Sequence, residues 1–436
     1  MQEALKGNVM SSRSWVPGAD GSGFSLANLP YGVAEVAADD LHLCVAIGNH
    51  ALDLAASAAK GLLEGLDISP AVWQQGTLNP FLGLSAEKRH AVRERIRQLL
   101  SSPDKRQRAA LEISLLDRSS LKMTSPIAPG DFVDFYSSYH HAVRTMQLMR
   151  AELNPNWKSM PVGYHSRTGT IVGTNQPIYR PMGQVLTPDG PIYAPTRALD
   201  IELEIGFVIC RTSQRGHPVK VSEFDGYVFG LVLLNDWSAR DLQRFESTPL
   251  GPFLAKSFCT QVGSWVVPLE ALTEYRVEKN PQHQQPTLEY LTHDQKSSFD
   301  IPLEISVASA AMRERKLPPQ TVSRTNFKDM YWDGAQQLAH LTANGASVRI
   351  GDLYGSGTVS GPAEDSAGCL VELTQGGAKK LELADGTQRA YLLDGDRIEL
   401  RGCCQKDGQP AIDFGTLSGT VCPSPDDAGL PSRVGI

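Results

Sequence analysis

The sequence predicts an α+β fold that is mostly β and is divided into more than one domain. A chain of 436 residues exceeds the usual size of one domain, so we expect two or three. The 39 glycines and 28 prolines exceed their average share, which indicates many turns and therefore many short strands. The content of apolar residues, 41%, and of charged residues, 20%, is typical of a globular protein with a large core.

Charge, apolar runs and cysteine spacing exclude several classes of protein. The net charge of −7 argues against a nucleic-acid surface, which needs a basic stripe. No apolar run reaches the length needed to span a bilayer, about 18 residues. The first 15 residues lack the apolar segment of a secretory signal. The seven cysteines contain no CxxC pair, so we expect reduced thiols in a cytoplasmic protein without membrane contact.

Residues 1–122 are predicted to form a small β-rich domain. Residues 24–32 and 41–48 are typical of short strands joined by turns. Residues 85–100 are predicted as a helix, because apolar side chains recur at helical spacing and basic ones occupy the other face. The residues that follow position 122 are rich in turn formers, which indicates a domain boundary there.

Residues 123–436 are predicted to form a larger domain that is dense in strands. Residues 199–210 alternate in polarity and then become fully apolar, and residues 226–235 form an apolar run typical of a buried strand. Further strands are expected at residues 370–373, 390–393 and 397–401.

Two glutamates lie close together on the first of these strands. Side chains at positions i and i+2 share one face of a strand, so Glu202 and Glu204 are predicted to point the same way. Adjacent buried carboxylates repel one another unless a cation lies between them, and oxygen ligands select Mg²⁺ or Ca²⁺. The alternative is a half-exposed strand whose polar face is solvated.

A second polar group follows the apolar run of residues 226–235. Asp236 or Ser238 is predicted to cap a helix, with Asp236, Arg240 and Gln243 on one helical face. A carboxylate, a guanidinium and an amide that converge at the end of a strand are typical of a ligand site. The alternative is an ordinary cap with an exposed ion pair.

A third group combines a carboxylate, a phenol and two imidazoles. Asp134, Tyr136, His140 and His141 follow one another within eight residues. His141 is a candidate general base because imidazole titrates near neutral pH. A structural histidine is the alternative for each of the two, and it is our interpretation of His140.

Two loops bring further candidates. Lys256 lies in an apolar stretch, where an ammonium has to reach solvent or an anion. The glycine-rich residues 351–361 match neither a P-loop nor a dinucleotide fingerprint. They are predicted to form a tight loop that lets Thr358 or backbone N–H groups approach a ligand. The sequence contains no zinc spacing and no GxSxG elbow.

Together these segments resemble the fumarylacetoacetate hydrolase family. The resemblance covers nearly the whole chain, and six unrelated motifs agree in order and rough spacing. The six are DFVDFYSS at 131–138, MPVGYH at 160–165, LDIELE at 199–204, LNDWSARD at 234–241, PLGPFLAKSF at 249–258 and GDL with SGT at 351–358. Residues 28–32, 326–332 and 392–396 also match.

The resemblance implies a fold and an activity. The fold would be a small SH3-like N-terminal β domain and a larger mixed β-roll catalytic domain, assembled as a homodimer. The activity would be hydrolysis of the carbon–carbon bond of 4-fumarylacetoacetate, a small diacid, to fumarate and acetoacetate. This reaction is the last step of tyrosine and phenylalanine degradation, and Mg²⁺ and/or Ca²⁺ would be the cofactor.

The resemblance also implies roles for single residues. The metal would be surrounded by Asp134, Glu202, Glu204, Asp236, Lys256 and Thr260. Catalysis would rest on His141 as base, Glu372 as the carboxylate that orients it, and Arg240, Gln243 and Lys256 as donors to the oxyanion. The substrate would be contacted by Tyr136, Arg150, Tyr164, Gln243 and Thr358. The chain departs from the family pattern at Ser247, in place of a tyrosine that contacts substrate, and at Cys259, in place of glycine.

Two other functions stay open at this point. One is an isomerase or decarboxylase of the same fold that acts on 2-oxo or 2-hydroxy-dienoate diacids. The long N-terminal unit and the His141 motif favour the hydrolase over it. The other is a non-enzymatic binding protein stabilised by a metal. The set of His141, Glu372 and Lys256 argues against it, because a structural metal site needs no base.

Overall fold

The computed structural model describes residues 13–279, 287–294 and 296–425. Its N-terminal part is an antiparallel sheet in the order β4-β3-β2-β1-β5, with four helices. The strands are β1 (Tyr31–Ala37), β2 (Asp40–Ile47), β3 (His50–Asp53), β4 (Leu115–Asp117) and β5 (Lys122–Met123). The helices are α1 (Leu54–Ala59), α2 (Asn79–Leu82), α3 (Ala86–Ser101) and α4 (Lys105–Ser114).

Helix α3 forms where the spacing of apolar residues predicts it. The Ser85 hydroxyl caps the helix by accepting from the Lys88 backbone N–H at 3.3 Å. Val92, Ile96 and Leu100 are buried on the face that meets the N-terminal core. The helix predicted at residues 85–100 is therefore confirmed.

The rest of the described chain contributes two larger sheets and four small ribbons. The large sheet has the order β7-β6-β22-β13-β14-β16-β8, with β17 paired to β14, and the second has the order β21-β20-β25-β26-β9. The ribbons pair β10 with β11, β12 with β15, β18 with β19 and β23 with β24. The strands are β6 (Phe132–Phe135), β7 (Gly163–His165), β8 (Ile171–Val172), β9 (Pro177–Tyr179), β10 (Met182–Thr187), β11 (Gly190–Pro195), β12 (Leu199–Asp200), β13 (Leu203–Ile209), β14 (Val228–Asp236), β15 (Ser238–Ala239), β16 (Thr260–Val262), β17 (Val267–Pro268), β18 (Arg276–Val277), β19 (Ser298–Phe299), β20 (Pro302–Ala308), β21 (Gln320–Asn326), β22 (Leu353–Gly355), β23 (Leu381–Glu382), β24 (Gln388–Arg389), β25 (Arg397–Cys404) and β26 (Ile412–Cys422).

The helices of this part are short. They are α5 (Tyr139–Leu148), α6 (Phe224–Tyr227), α7 (Arg240–Glu246), α8 (Leu254–Ser257), α9 (Ala310–Glu314), α10 (Gly334–Thr342) and α11 (Leu370–Leu373). Four of them, α5, α7, α8 and α11, carry side chains of the site described below. Across the described ranges, no helix combines the length and the apolar content needed to cross a membrane.

The large sheet is covered on both faces. On strand β14, Val232 and Leu234 join the hydrophobic core of the N-terminal part. Leu231 and Leu233, which alternate with them, join the core of the second sheet. This explains why the sequence of β14 is continuously apolar instead of alternating.

The predicted α+β class is confirmed, and three local predictions are wrong. Residues 370–373 form helix α11, and residues 390–393 form no strand. Asp236 ends strand β14 and does not cap a helix; α7 begins at Arg240 after Ala239, without a side-chain cap. The SH3-like description of the N-terminal part stays a prediction.

Candidate active site

Three strands of the large sheet and one break between strands bring four carboxylates together. Asp134 lies on β6, Glu204 on β13 and Asp236 at the end of β14, while Glu202 lies between β12 and β13. Asp134, Glu202 and Glu204 each offer an oxygen within 4.8 Å of the other two, and all three are buried. The two glutamates therefore turn to the same side, as the i, i+2 spacing predicts.

Two of these carboxylates have oxygens without a partner. Asp134 Oδ1 and Glu204 Oε1 are buried and make no hydrogen bond within the described chain. Burial, and then the neighbouring carboxylates, raise the pKa of both groups well above the ordinary range. A Cβ at Gly355 would lie 2.7 Å from Asp134 Oδ1 and 2.7 Å from Glu204 Oε2. These oxygens thus line a close cradle, and this all-oxygen set fits a hard divalent cation.

Asp236 is the best hydrogen-bonded of the four. Its Oδ2 accepts from the Tyr164 hydroxyl at 2.6 Å and from Lys256 Nζ at 2.9 Å. Its Oδ1 accepts from the Thr260 hydroxyl at 3.0 Å. Burial lowers the pKa of Lys256, but the carboxylates of Asp236 and Glu202 raise it by more than burial lowers it. The net pKa lies above the ordinary value, so the side chain is an ammonium.

Glu202 is surrounded by cations. Lys256 Nζ donates to its Oε2, and Arg240 Nη1 lies 2.8 Å from its Oε1. Burial alone would raise the pKa of Glu202, but Lys256 and then Arg240 lower it to about 2. Glu202 is therefore ionised, which distinguishes it from Asp134 and Glu204.

Arg240 is fixed on three sides and leaves one nitrogen free for a ligand. Its Nε donates to Asp200 Oδ2 at 2.8 Å and its Nη1 to Gln243 Oε1 at 3.0 Å. In the part of the chain that the structure describes, the buried Nη2 has no partner. A buried guanidinium donor without a partner indicates a place for an anionic or carbonyl oxygen.

Asp200 holds two parts of the site and was not singled out from the sequence. Besides Arg240, it accepts from the backbone N–H groups of Leu370 at 2.7 Å and Val371 at 3.0 Å. These are the first residues of helix α11. The only sequence signal was its place in the motif LDIELE.

His141 and Glu372 form a buried acid–base pair. His141 Nδ1 lies 2.5 Å from Glu372 Oε1, which also accepts from the Ser360 hydroxyl at 2.7 Å and from Cys369 Sγ at 3.1 Å. Burial would raise the pKa of Glu372, but His141 and these donors lower it to about 2. With Nδ1 facing a carboxylate, Nε2 of His141 is left to exchange a proton. These hydrogen bonds account for the close approach of imidazole, thiol and carboxylate.

The five predicted substrate contacts differ in their placement. Tyr136 presents its ring edge-on to His141 at a centroid distance of 5.1 Å, and Tyr164 bonds Asp236. The buried Thr358 hydroxyl is without a partner among the described residues. Gln243 is held by Arg240.

Arg150 is not joined to this network, and Ser247 contacts it through the backbone of Gln243. Arg150 follows α5 with a left-handed φ of 55°, and its side chain is exposed and makes none of the described site contacts. Ser247 Oγ donates to the backbone carbonyl of Gln243 at 2.6 Å. The sequence-predicted roles of Arg150 and of the Ser247 departure therefore remain predictions.

Family models match both parts of the chain. One described as "Fumarylacetoacetate (FAA) hydrolase C-terminal" matches residues 132–422, and one described as "Fumarylacetoacetase N-terminal" matches residues 27–126. The chain is 41% identical to the fumarylacetoacetase of Bos taurus over 422 residues, which cover 94% of this chain and 99% of that protein. It is 42% identical to that of Caenorhabditis elegans over 424 residues, with 94% and 99% covered.

A solved structure agrees in fold. The fumarylacetoacetate hydrolase from Exiguobacterium antarcticum superposes with a TM-score of 0.51 at 17% identity, covering 90% of this chain and 99% of that one. At this identity the likeness concerns the fold alone. Two family models that span most of the chain, and relatives above 40% identity over almost their full length, lead to one conclusion: this chain is a member of the fumarylacetoacetate hydrolase family.

Proposed function

We propose that the protein hydrolyses the carbon–carbon bond of 4-fumarylacetoacetate to fumarate and acetoacetate, the last step of tyrosine and phenylalanine degradation. The observation that carries this proposal is the buried pair of His141 and Glu372, linked through Asp200 to the donors and carboxylates around Arg240. A binding protein has no need of such a pair. An acid–base pair, a set of oxyanion donors and a cation cradle are what hydrolysis of a β-diketone requires.

His141 supplies the base in this mechanism. Its Nε2 takes a proton from water, whose oxygen adds to the carbonyl carbon on the fumaryl side. Glu372 keeps the imidazole oriented and stabilises the imidazolium that forms. Since the pKa of Glu372 is about 2, it remains a carboxylate and does not compete for the proton.

The free donors near the site stabilise the negative charge that develops. Arg240 Nη2 and the Thr358 hydroxyl are buried without partners in the described chain, so a substrate oxygen satisfies groups that are otherwise costly. When the bond between the carbonyl carbon and the acetoacetate carbon breaks, its electron pair leaves as an enolate. That carbanion equivalent takes up the proton held by His141, which completes the balance.

The cation proposed for the carboxylate cradle is Mg²⁺ or Ca²⁺. Asp134, Glu202, Glu204 and Asp236 would hold it, with Lys256 and Thr260 completing its surroundings. When bound, the ion supplies Lewis-acid stabilisation of substrate oxygens. Lys256 contributes by charge, because its ammonium donates to Glu202 and Asp236.

The test is direct. Purified protein is mixed with 4-fumarylacetoacetate, and release of fumarate is followed by chromatography. We expect His141→Ala to lose at least about a hundredfold in rate, the usual size of a general-base contribution. The neighbouring His140→Ala is the matched control and should keep most of its activity. Formation of an isomer without fumarate would favour the isomerase, and equal losses in both variants would remove the assignment of the base.

The organisation of the protein is also part of this proposal. We propose an N-terminal domain of residues 1–122 and a catalytic domain of residues 123–436, supported by two family models that match residues 27–126 and 132–422 separately. The boundary falls inside strand β5, which pairs with β1. A cytoplasmic location is supported by the seven cysteines, all of which are free thiols.

A further inference from the structure

Glu372 has a partner that the mechanism above does not use. While His141, Ser360 and Cys369 contact Oε1, the other oxygen, Oε2, accepts from Arg144 Nη1 at 3.3 Å. The Glu372 side chain is 0% exposed and the Arg144 side chain 24%. Arg144 therefore places a cation that reaches solvent against the far oxygen of a fully buried carboxylate.

The same guanidinium also fixes the surrounding backbone. Arg144 lies three residues after His141 on α5, and its Nη2 donates to the carbonyls of Pro362 at 3.0 Å and Ala363 at 2.9 Å. This loop begins just after Ser360, which is itself bonded to Glu372. One side chain thus joins the helix of the base, the loop and the carboxylate. The planar fork of arginine permits this, and the single ammonium of lysine does not.

The environment of the base is mixed in charge. His141 is faced by Glu372 and Cys369 from the α11 segment, by Tyr136 directly after β6, and by the charge of Glu202, with Arg144 on its own helix. Arg144 in turn acts on Glu372 and, by charge, on His140. A cation on Oε2 draws part of the carboxylate charge away from the imidazole on Oε1. The support that Glu372 gives to an imidazolium formed during catalysis is then weaker than it would be without Arg144.

We propose that Arg144 is a positioning residue of the reaction, which shares the charge of Glu372 with His141 and thereby determines the pH at which the base becomes active. This inference rests on the proposed function. The positive charge of Arg144 should affect the pH dependence of the reaction. Its planar guanidinium should affect the orientation of Glu372, and the two effects can be tested separately.

Two substitutions separate the claims. Arg144→Met removes charge and fork, so the acid limb of kcat/KM should move to higher pH by about half to one unit. Its kcat should fall roughly tenfold with KM little changed, since orientation of the base matters in the transition state. Arg144→Lys keeps the charge, so its acid limb should stay at the wild-type pH while kcat falls by a smaller factor. Arg276→Met is the control, since Arg276 pairs with Asp225 and lies over Phe299.

The outcomes are distinguishable from those of the proposed function. If the wild-type protein releases no fumarate, the proposed function fails before Arg144 is tested. If the wild type is active and the acid limb of Arg144→Met is unmoved, the inference is overturned. Should Arg144→Met not fold, Arg144→Gln takes its place with the same expected shift. An acid limb that moves in Arg144→Lys as far as in the neutral variant also overturns it, because charge would then not be the cause.

Discussion

Lys256 is a buried lysine whose ammonium lies among carboxylates instead of in solvent. The sequence left open whether its ammonium reaches solvent or an anion, and the structure places it among carboxylates with 4% of the side chain exposed. It bonds Glu202 and Asp236, so two negative charges of the cradle are partly neutralised before any cation binds. A charge this enclosed acts more strongly on a developing enolate than one in water.

We expect Lys256→Met to lower kcat by roughly a hundredfold and to raise KM by much less. The charge that Lys256 meets grows in the transition state, so its loss affects the chemical step most. The melting temperature should also fall, because Glu202 and Asp236 lose a buried partner. Steady-state kinetics and a thermal melt measure both effects. Lys88→Met, which removes an exposed partner of Asp67, is the control; an unchanged kcat in Lys256→Met would contradict the role in catalysis.

Glu372 predicts a pH dependence of stability whose sign can be worked out. Its pKa of about 2 in the folded protein lies below the ordinary value of 4.5. A depressed folded pKa stabilises the protein above the unfolded value, and this contribution is lost as pH falls from about 4.5 towards 2. When the pH falls from about 5 to about 3, the free energy of unfolding should decrease in both proteins. The decrease should be about 2 kcal/mol smaller in Glu372→Gln than in the wild type, because the variant lacks this carboxylate. Urea titrations measure this difference, and parallel curves for the two proteins would refute it.

At the scale of elements, the long periodic segments were predictable and the short ones were not. The structures of α3 and β14 follow from their own sequences, because the same spacing of apolar residues repeats over many positions. Residues 370–373 carry only four letters, LVEL, and their helix is supported by Asp200, 170 residues earlier. No local pattern contains that contact.

The site was predictable to different degrees for related reasons. The spacing of Glu202 and Glu204 indicated a shared face, and the motifs of the family resemblance supplied Glu372, which no periodicity connects to His141. Asp200 and Arg144 belong to no recognisable spacing pattern of a site, because each contacts the site through another residue. The helix predicted after residue 235 forms, but it begins at Arg240, because β14 continues to Asp236, which pairs with Thr260 of β16.

The carboxylates on strands β6, β13 and β14 determine how a bound cation affects the stability of the fold. In the metal-free protein the raised pKa values of Asp134 and Glu204 make ionisation costly, and that cost grows as pH rises above the unfolded pKa. Millimolar Mg²⁺ or Ca²⁺ should therefore raise the melting temperature of a chelated sample at pH 7, and by less at pH 5. Glu204→Gln should weaken the increase, whereas Glu304→Gln on β20, an ion-pair partner of Arg324, should not. A chelated protein with full turnover and no response to either ion would contradict the cradle.

At the scale of the whole molecule, an apolar surface remains beside the site. Leu186 and Tyr193 on the β10–β11 ribbon are 61% and 66% exposed, and Leu250 and Phe253 between α7 and α8 are 97% and 65% exposed. A groove lined by residues of β10, α7 and α8 connects the two elements. Exposed apolar side chains in this number are typical of a surface that another chain covers, which agrees with the homodimer that the family resemblance implies.

We expect the wild type to sediment as a dimer and the double variant Leu250→Glu with Phe253→Glu to shift towards the monomer. Two buried charges at an apolar interface are strongly unfavourable. Analytical ultracentrifugation measures the mass, with the exposed Leu288→Glu as control. A wild type that is monomeric at every concentration, or a double variant that dimerises as tightly, would argue against this interface.

The contacts of Asp200 have a consequence for how this protein can evolve. One carboxylate holds Arg240, the proposed oxyanion donor, and the helix that carries Glu372, so neither can change its position independently. Substitutions at Arg240 and in α11 should show epistasis, with double variants deviating from the sum of the single effects. Few substitutions that change substrate specificity should therefore be tolerated on this side of the site. More should be tolerated at Arg150, Ser247 and the other residues that Asp200 does not bind.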